Sequence, residues 1–175
     1  MTEFVLYIAI SLDGYIARTD SRIDWLPPPN ADGEDYGYAE FYASIDGVVM
    51  GSKTYEQVLE FGEWEFADKR SYVLTHRDLS SERDDIVFVQ EGISAVLEQI
   101  KQHHLQRVWI LGGGQVASAF IEQGCVDEYK IAVIPILLGS GIPLFCPTAS
   151  EHKLTLVEAK PYDDGVVMLH YRKKD

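Results

Sequence analysis

Three short stretches carry the residue types that hold phosphate. In "VVMGSKTYEQ", residues 48–57, Gly51 ends an apolar run and Ser52, Lys53 and Thr54 follow at once. Free backbone N–H groups, two hydroxyls and an ammonium would then share the first turn of a helix, a natural seat for an anion. In "WILGGGQVASAF", residues 109–120, Gly112, Gly113 and Gly114 stand where a strand hands over to an amphipathic helix that opens with Gln115 and Val116. Three consecutive glycines exceed what a tight turn needs and let a ligand approach the backbone. In "YVLTHRD", residues 72–78, Thr75, His76 and Arg77 leave a strand end after Leu74. Arg77 there can grip a phosphate through two N–H groups. Each stretch also has a plain structural reading: a Ser or Thr cap, a tight strand-to-helix turn, a solvated loop charge. The set is more telling than its members. All three lie at carboxyl ends of strands, where open α/β sheets bind ligands, and a dinucleotide would use them together.

The elements that must position these residues alternate. "EFVLYIAISLDG" is an almost unbroken apolar run, the pattern of a central strand covered on both faces. "EDYGYAEFYASI" reads as a helix with Tyr38, Phe41, Tyr42 and Ile45 on one face. "DGVVMG" is a short strand followed by the helix "SKTYEQVLEF", and "RSYVLTHRD" and "DIVFVQ" are further strands. "ISAVLEQIKQHH" sets Ile93, Val96, Leu97 and Ile100 at helical spacing. "RVWIL" is a strand, "GQVASAFIEQG" a helix capped at Gly124, and "DEYKIAVIPIL" another strand. "KLTLVEAK" and "VVMLHYRK" form a hairpin through "PYDDG". This predicts one α/β domain over residues 1–175, with a mostly parallel sheet and an antiparallel C-terminal hairpin. "RTDSRIDWLPPPNADG" is a long proline-rich loop, and loops of that length are often functional or mobile.

Composition narrows the partners. A net charge of −13 argues against nucleic acid or an anionic membrane. The two cysteines, Cys125 and Cys146, form no metal-binding spacing and fit a reducing cytoplasm, so no metal is expected. The run Phe4–Ile10 is too short to span a bilayer and is a poor signal peptide. Gly112, Gly114 and Ala117 formally match the Rossmann fingerprint, with Asp127 and Glu128 downstream. That fingerprint belongs to a first strand-to-helix turn, whereas this one follows several strands.

"YIAISLDGYIA", "VVMGSKTYEQV", "YVLTHRD", "VWILGGGQVASAF" and "PILLGSGIPLF" occur in an order and spacing that resemble the dihydrofolate reductase-like superfamily. The resemblance covers almost the whole chain. "LLGSGIPLF" brings it nearest to the branch related to the C-terminal reductase domain of the bifunctional riboflavin-biosynthesis deaminase/reductase. It implies a three-layer α/β/α fold, a homodimer, and an NADPH-dependent reductase acting on a small pterin- or aminopyrimidine-like substrate. By resemblance, Gly51, Ser52, Lys53 and Thr54 would hold phosphates, and Leu74, Thr75, His76 and Arg77 would face the adenosine 2′-phosphate. Gly112, Gly113, Gly114, Gln115 and Val116 would bind the pyrophosphate and the nearby ribose. The backbone at Ala9 and Ile10, with Ile16, would line the nicotinamide, and Asp13 and Gly14 would lie near the substrate mouth. Counting back from "VVMG" puts Asp35 at the place of the carboxylate that holds the pterin in dihydrofolate reductases. The folate-tail arginine has no counterpart, and the zinc-deaminase pattern is absent, so neither folate nor the bifunctional activity is expected.

Hydride transfer needs alignment above all, plus one proton. Asp13, Asp24, Asp35 or water could deliver it, with Asp13 best placed at the end of the first strand. Two further readings stay open. One is a cofactor-binding module without catalysis. The other is a Rossmann-type protein that prefers NADH.

Overall fold

The computed structural model describes residues 1–28 and 33–174. Residues 29–32 of the long proline-rich loop lie outside the described residues. The chain runs β1 (Glu3–Ser11), β2 (Tyr15–Ala17), α1 (Tyr38–Ser44), β3 (Gly47–Gly51), α2 (Ser52–Glu60), β4 (Arg70–Leu74) and β5 (Ile86–Val89). It continues with α3 (Ile93–Gln102), β6 (Arg107–Gly112), α4 (Gly114–Glu122), β7 (Glu128–Ile134), β8 (Ile142–Pro143), β9 (Leu154–Pro161) and β10 (Val167–Lys173).

Eight strands form one sheet in the order β5-β4-β3-β6-β1-β7-β10-β9. The first six in that order are parallel, and β10 and β9 add antiparallel pairs at the edge. The expected α/β class with its antiparallel C-terminal hairpin is what the chain adopts. β1 sits centrally because its Val5 and Leu6 are wholly buried, one on each face. Leu6 joins the layer closed by α3 and α4, through Val96, Ile100, Ala117 and Phe120. Val5 joins the opposite layer, where Phe41 of α1, Tyr55 and Val58 of α2, Phe66 and Trp109 pack.

Two details depart from the sequence pattern. α1, at Tyr38–Ser44, is shorter than the predicted helix "EDYGYAEFYASI", because Gly37 at its start takes a left-handed φ of 81° and Ile45 is already extended. "GIPLF", to which the sequence pattern assigns no element, contains β8, which pairs with β2 in a small second sheet that lies against the start of α4. Three-residue and two-residue strands carry too little periodicity to be read from sequence.

Candidate cofactor and substrate site

The order β4-β3-β6-β1 sets four parallel strand ends side by side, at Leu74, Gly51, Gly112 and Ser11. Gly51 pairs with Leu74, and Met50 pairs with Gly112, so the three phosphate-type junctions share one rim. They also touch. A Cβ added at Gly51 would lie 3.3 Å from Val116 Cγ2. One added at Gly113 would lie 3.6 Å from Thr54 Oγ1 and 3.9 Å from Ile16 Cδ1. The sequence placed these groups at separate strand ends; the fold sets them side by side on one rim of the sheet.

Capping does not account for Ser52 or Thr54. The N-cap of α2 is Gly51, and no side chain bonds to that helix start. The N-cap of α4 is Gly113, again with no side-chain bond. Two uncapped helix N-termini thus lie next to each other on the same rim, with their orphan N–H groups and positive dipole ends. The glycine run serves more than one purpose. Gly112 takes φ 117°, a conformation that side chains rarely adopt, and its bond to Gly113 is cis. Gly114 is buried, and a Cβ there would lie 2.5 Å from the Pro143 carbonyl oxygen. At that glycine the close approach is intramolecular.

At the third junction Thr75 is buried and its Oγ1 accepts a 3.0 Å bond from the Arg77 N–H, which folds the strand end into a tight turn. His76 is exposed there. Arg77 Nη1 lies 2.9 Å from Glu56 Oε1 on the second turn of α2. Both side chains are about half exposed, at 53% and 45%, so this ion pair holds the guanidinium only loosely. Glu56 has no signature in the sequence, since the pair joins residues brought together by the β3–β4 pairing.

The carboxylates that could deliver a proton, Asp13, Asp24 and Asp35, each accept hydrogen bonds within the protein. Asp13 accepts bonds from Ser11 Oγ at 2.6 Å, Leu138 N at 3.1 Å and Gly139 N at 2.8 Å. The Ser11 hydroxyl, then the two backbone N–H groups, hold its pKa below the ordinary carboxylate value. Ser11 is fully buried, and its Oγ also accepts from Tyr15 N at 2.9 Å. A serine followed by "LDG" at a strand end was the available signal for this clamp. Asp35 accepts from Ala39 N at 3.0 Å and Gly37 N at 2.9 Å, and those bonds lower its pKa too. Asp24 is held by Arg18 at 2.7 Å and Arg22 by Asp20, so the loop's two arginines are engaged within the loop. Asp127 and Glu128 lie elsewhere. Asp127 accepts from Phe4 N at 2.8 Å, and Glu128 is buried among arginines. Neither is available to a ribose, which removes the carboxylate that a Rossmann reading needs.

Residues 3–168 match the RibD C-terminal domain. The chain belongs to that family. It is 41% identical over 168 residues to the uncharacterized protein YwjB of Bacillus subtilis (strain 168), covering 95% of both chains. A putative riboflavin biosynthesis protein from Shewanella sp. PV-4 superimposes with a TM-score of 0.88 at 28% identity, covering 99% of each chain. A diaminohydroxyphosphoribosylaminopyrimidine deaminase/5-amino-6-(5-phosphoribosylamino)uracil reductase from Thermotoga maritima superimposes at 0.75 with 16% identity. It shares the fold over 57% of its own length. The RibD C-terminal family assigns this chain to the oxidoreductases at the coarse level and gives it a riboflavin-pathway reductase-like fold. Among the described residues no helix is long and apolar enough to cross a membrane.

Proposed function

We propose that the chain is an NADPH-dependent reductase of a small heterocyclic or carbonyl compound, working in the cytoplasm. The observation that carries this reading is the shared rim: two uncapped helix N-termini, at Gly51 and Gly113, on neighbouring strand ends with Lys53 and Arg77. The residues fit the cofactor. Ser52, Lys53, Thr54 and the N–H groups from Gly113 to Val116 would hold the pyrophosphate. Arg77 would exchange the half-exposed Glu56 carboxylate for a 2′-phosphate, helped by Leu74, Thr75 and His76. Ala9 and Ile16 would line the nicotinamide, which supplies the hydride when bound.

In this reading Asp13 and Asp35 orient rather than protonate. Each is tied to backbone N–H groups and holds its negative charge at neutral pH. Asp13 fixes the Leu138–Gly139 segment beside the mouth, Asp35 fixes the start of α1, and water delivers the proton.

The test is a titration of NADPH and NADH by quenching of tryptophan fluorescence at two salt concentrations. NADPH is expected to bind more tightly and to weaken with salt. Arg77→Ala should lose about 1.5–3 kcal/mol of NADPH affinity, the worth of a charge-assisted hydrogen bond, and leave NADH unchanged. Equal binding of both cofactors would overturn the 2′-phosphate assignment. NADPH binding with no oxidation across a panel of pterins, aminopyrimidines and carbonyl compounds would favour the non-catalytic module.

A homodimer belongs to the same proposal. β9 is a sheet edge with all eight residues exposed, including Leu154, Leu156 and Val157. Such an edge invites strand pairing between copies. Sedimentation equilibrium should return twice the chain mass, and a monomer at all concentrations would refute it.

A further inference from the structure

The two cations on the phosphate-type rim are not treated alike. Among the described residues Lys53, in the first turn of α2, makes no hydrogen bond or ion pair through its ammonium. Arg77 is met by a carboxylate, with Nη1 2.9 Å from Glu56 Oε1. A rim that only gathers anions has no use for an acid against its guanidinium, least of all in a chain whose net charge of −13 already repels them.

Both partners stand on fixed backbone. Glu56 lies between Tyr55 and Val58, whose side chains are buried under α2, and it follows Ser52 by four residues, on the same face of the helix. Arg77 is tied at both of its main-chain polar groups. Its N–H donates to Thr75 Oγ1 at 3.0 Å, and its carbonyl accepts from Gln90 Nε2 at 3.2 Å. The pairing of Gly51 with Leu74 holds the two segments together at the root of the contact. The fold itself therefore sets the carboxylate against the guanidinium, and only the two side chains are left to move. The hydrogen bond from Arg77 holds the Glu56 carboxyl below its ordinary pKa, so the acid is charged at neutral pH. A phosphate gripped by Arg77 has to displace that carboxylate and then sit within a few ångströms of its charge.

We propose that Glu56 is the residue that sets cofactor choice at this rim: its carboxylate competes with a nucleotide's 2′-phosphate for the Arg77 guanidinium. It weakens the binding of 2′-phosphorylated nucleotides and leaves their unphosphorylated counterparts untouched. The chain then prefers NADPH over NADH by a smaller margin than an unopposed arginine would give. The inference rests on the reading of the rim as a cofactor site, but it needs only the 2′-phosphate end of the cofactor.

Calorimetric titration of the full chain with NADPH, NADH and two fragments, adenosine 2′,5′-bisphosphate and adenosine 5′-monophosphate, tests it. Glu56→Gln should bind NADPH and the bisphosphate about threefold to tenfold more tightly than the parent chain, since it loses one half-exposed ion pair and one repulsion. NADH and the monophosphate should bind as they do to the parent. The gain should largely disappear in an Arg77→Ala background, where the carboxylate has no guanidinium to compete for. Glu60→Gln, which removes the next acid on the same face of α2, should show no such gain. Melting curves show that the variants are folded. An unchanged or weaker NADPH affinity in Glu56→Gln would overturn the proposal, as would an equal gain for NADH or a full gain without Arg77. A chain in which Glu56→Gln tightens the bisphosphate as expected, but which oxidises NADPH with no acceptor, would sink the reductase reading and leave Glu56 in its role. A parent chain that binds none of the four nucleotides would overturn both.

Discussion

Glu128→Ala is expected to be the most damaging single change in this chain, at about 3–5 kcal/mol of unfolding free energy, because it strands buried cations. Glu128 is only 2% exposed and opens β7. Its Oε2 takes a 2.9 Å bond from Arg107 Nη2, and its Oε1 takes a short one from Arg172 Nη2. Arg107 is bonded in turn to Glu3, so the cluster ties the first residues of β1, β6, β7 and the end of β10. Arg172 is 59% exposed, and water would satisfy it after the substitution; Arg107, at 20%, would carry most of the cost. Burial disfavours the charged form of Glu128, and the Arg107 and Arg172 guanidiniums overcome it, holding the carboxyl at about 2. The native state therefore binds this proton less readily than the unfolded chain, whose glutamates titrate near ~4.3. The cluster's stabilisation is complete above that unfolded value and is lost as pH falls toward about 2. Urea titrations at pH 7 and pH 3 give both numbers. A Glu128→Ala protein as stable as the parent at pH 7, or a difference that fails to shrink at pH 3, would refute this account.

Gly114→Ala should cost about 1–3 kcal/mol without any cofactor present, the usual penalty of overpacking a tight site. Helix propensity alone favours the change, though by less than the about 1 kcal/mol that Ala gains over Gly in a helix interior, since Gly114 is the first residue of α4. The contact reverses that sign. The new Cβ would meet the Pro143 carbonyl oxygen at 2.5 Å and the Leu144 carbonyl oxygen at 3.5 Å, and backbone gives less readily than a side chain. Relief requires moving β8 off the start of α4, which would also shift the cleft that Gly113, Thr54 and Ile16 share. Thermal unfolding of the cofactor-free protein reads the stability, and the NADPH titration reads the cleft. Unchanged stability with weakened NADPH binding would mean that this glycine serves a ligand's approach and not the packing of β8.

Much of the fold was legible because it is written in local pattern. The apolar run "EFVLYIAIS" marks a strand covered on both faces, and Ile93, Val96, Leu97 and Ile100 mark α3. The hairpin announces itself through "PYDDG" and its flanking alternation. The residue types at Gly51–Thr54, Gly112–Val116 and Thr75–Arg77 likewise declare strand ends suited to phosphate. What the sequence left open is which of these sites share space. That follows from the strand order, in which β6 enters beside β3 after more than fifty intervening residues, and long-range pairing leaves no short-range signature. The same holds for Glu56 beside Arg77 and for Asp13 clamping Leu138 and Gly139. Local chemistry chose which residues could bind and turn; tertiary pairing across the sheet chose their partners, because only there do charges and donors distant in sequence come within a few ångströms.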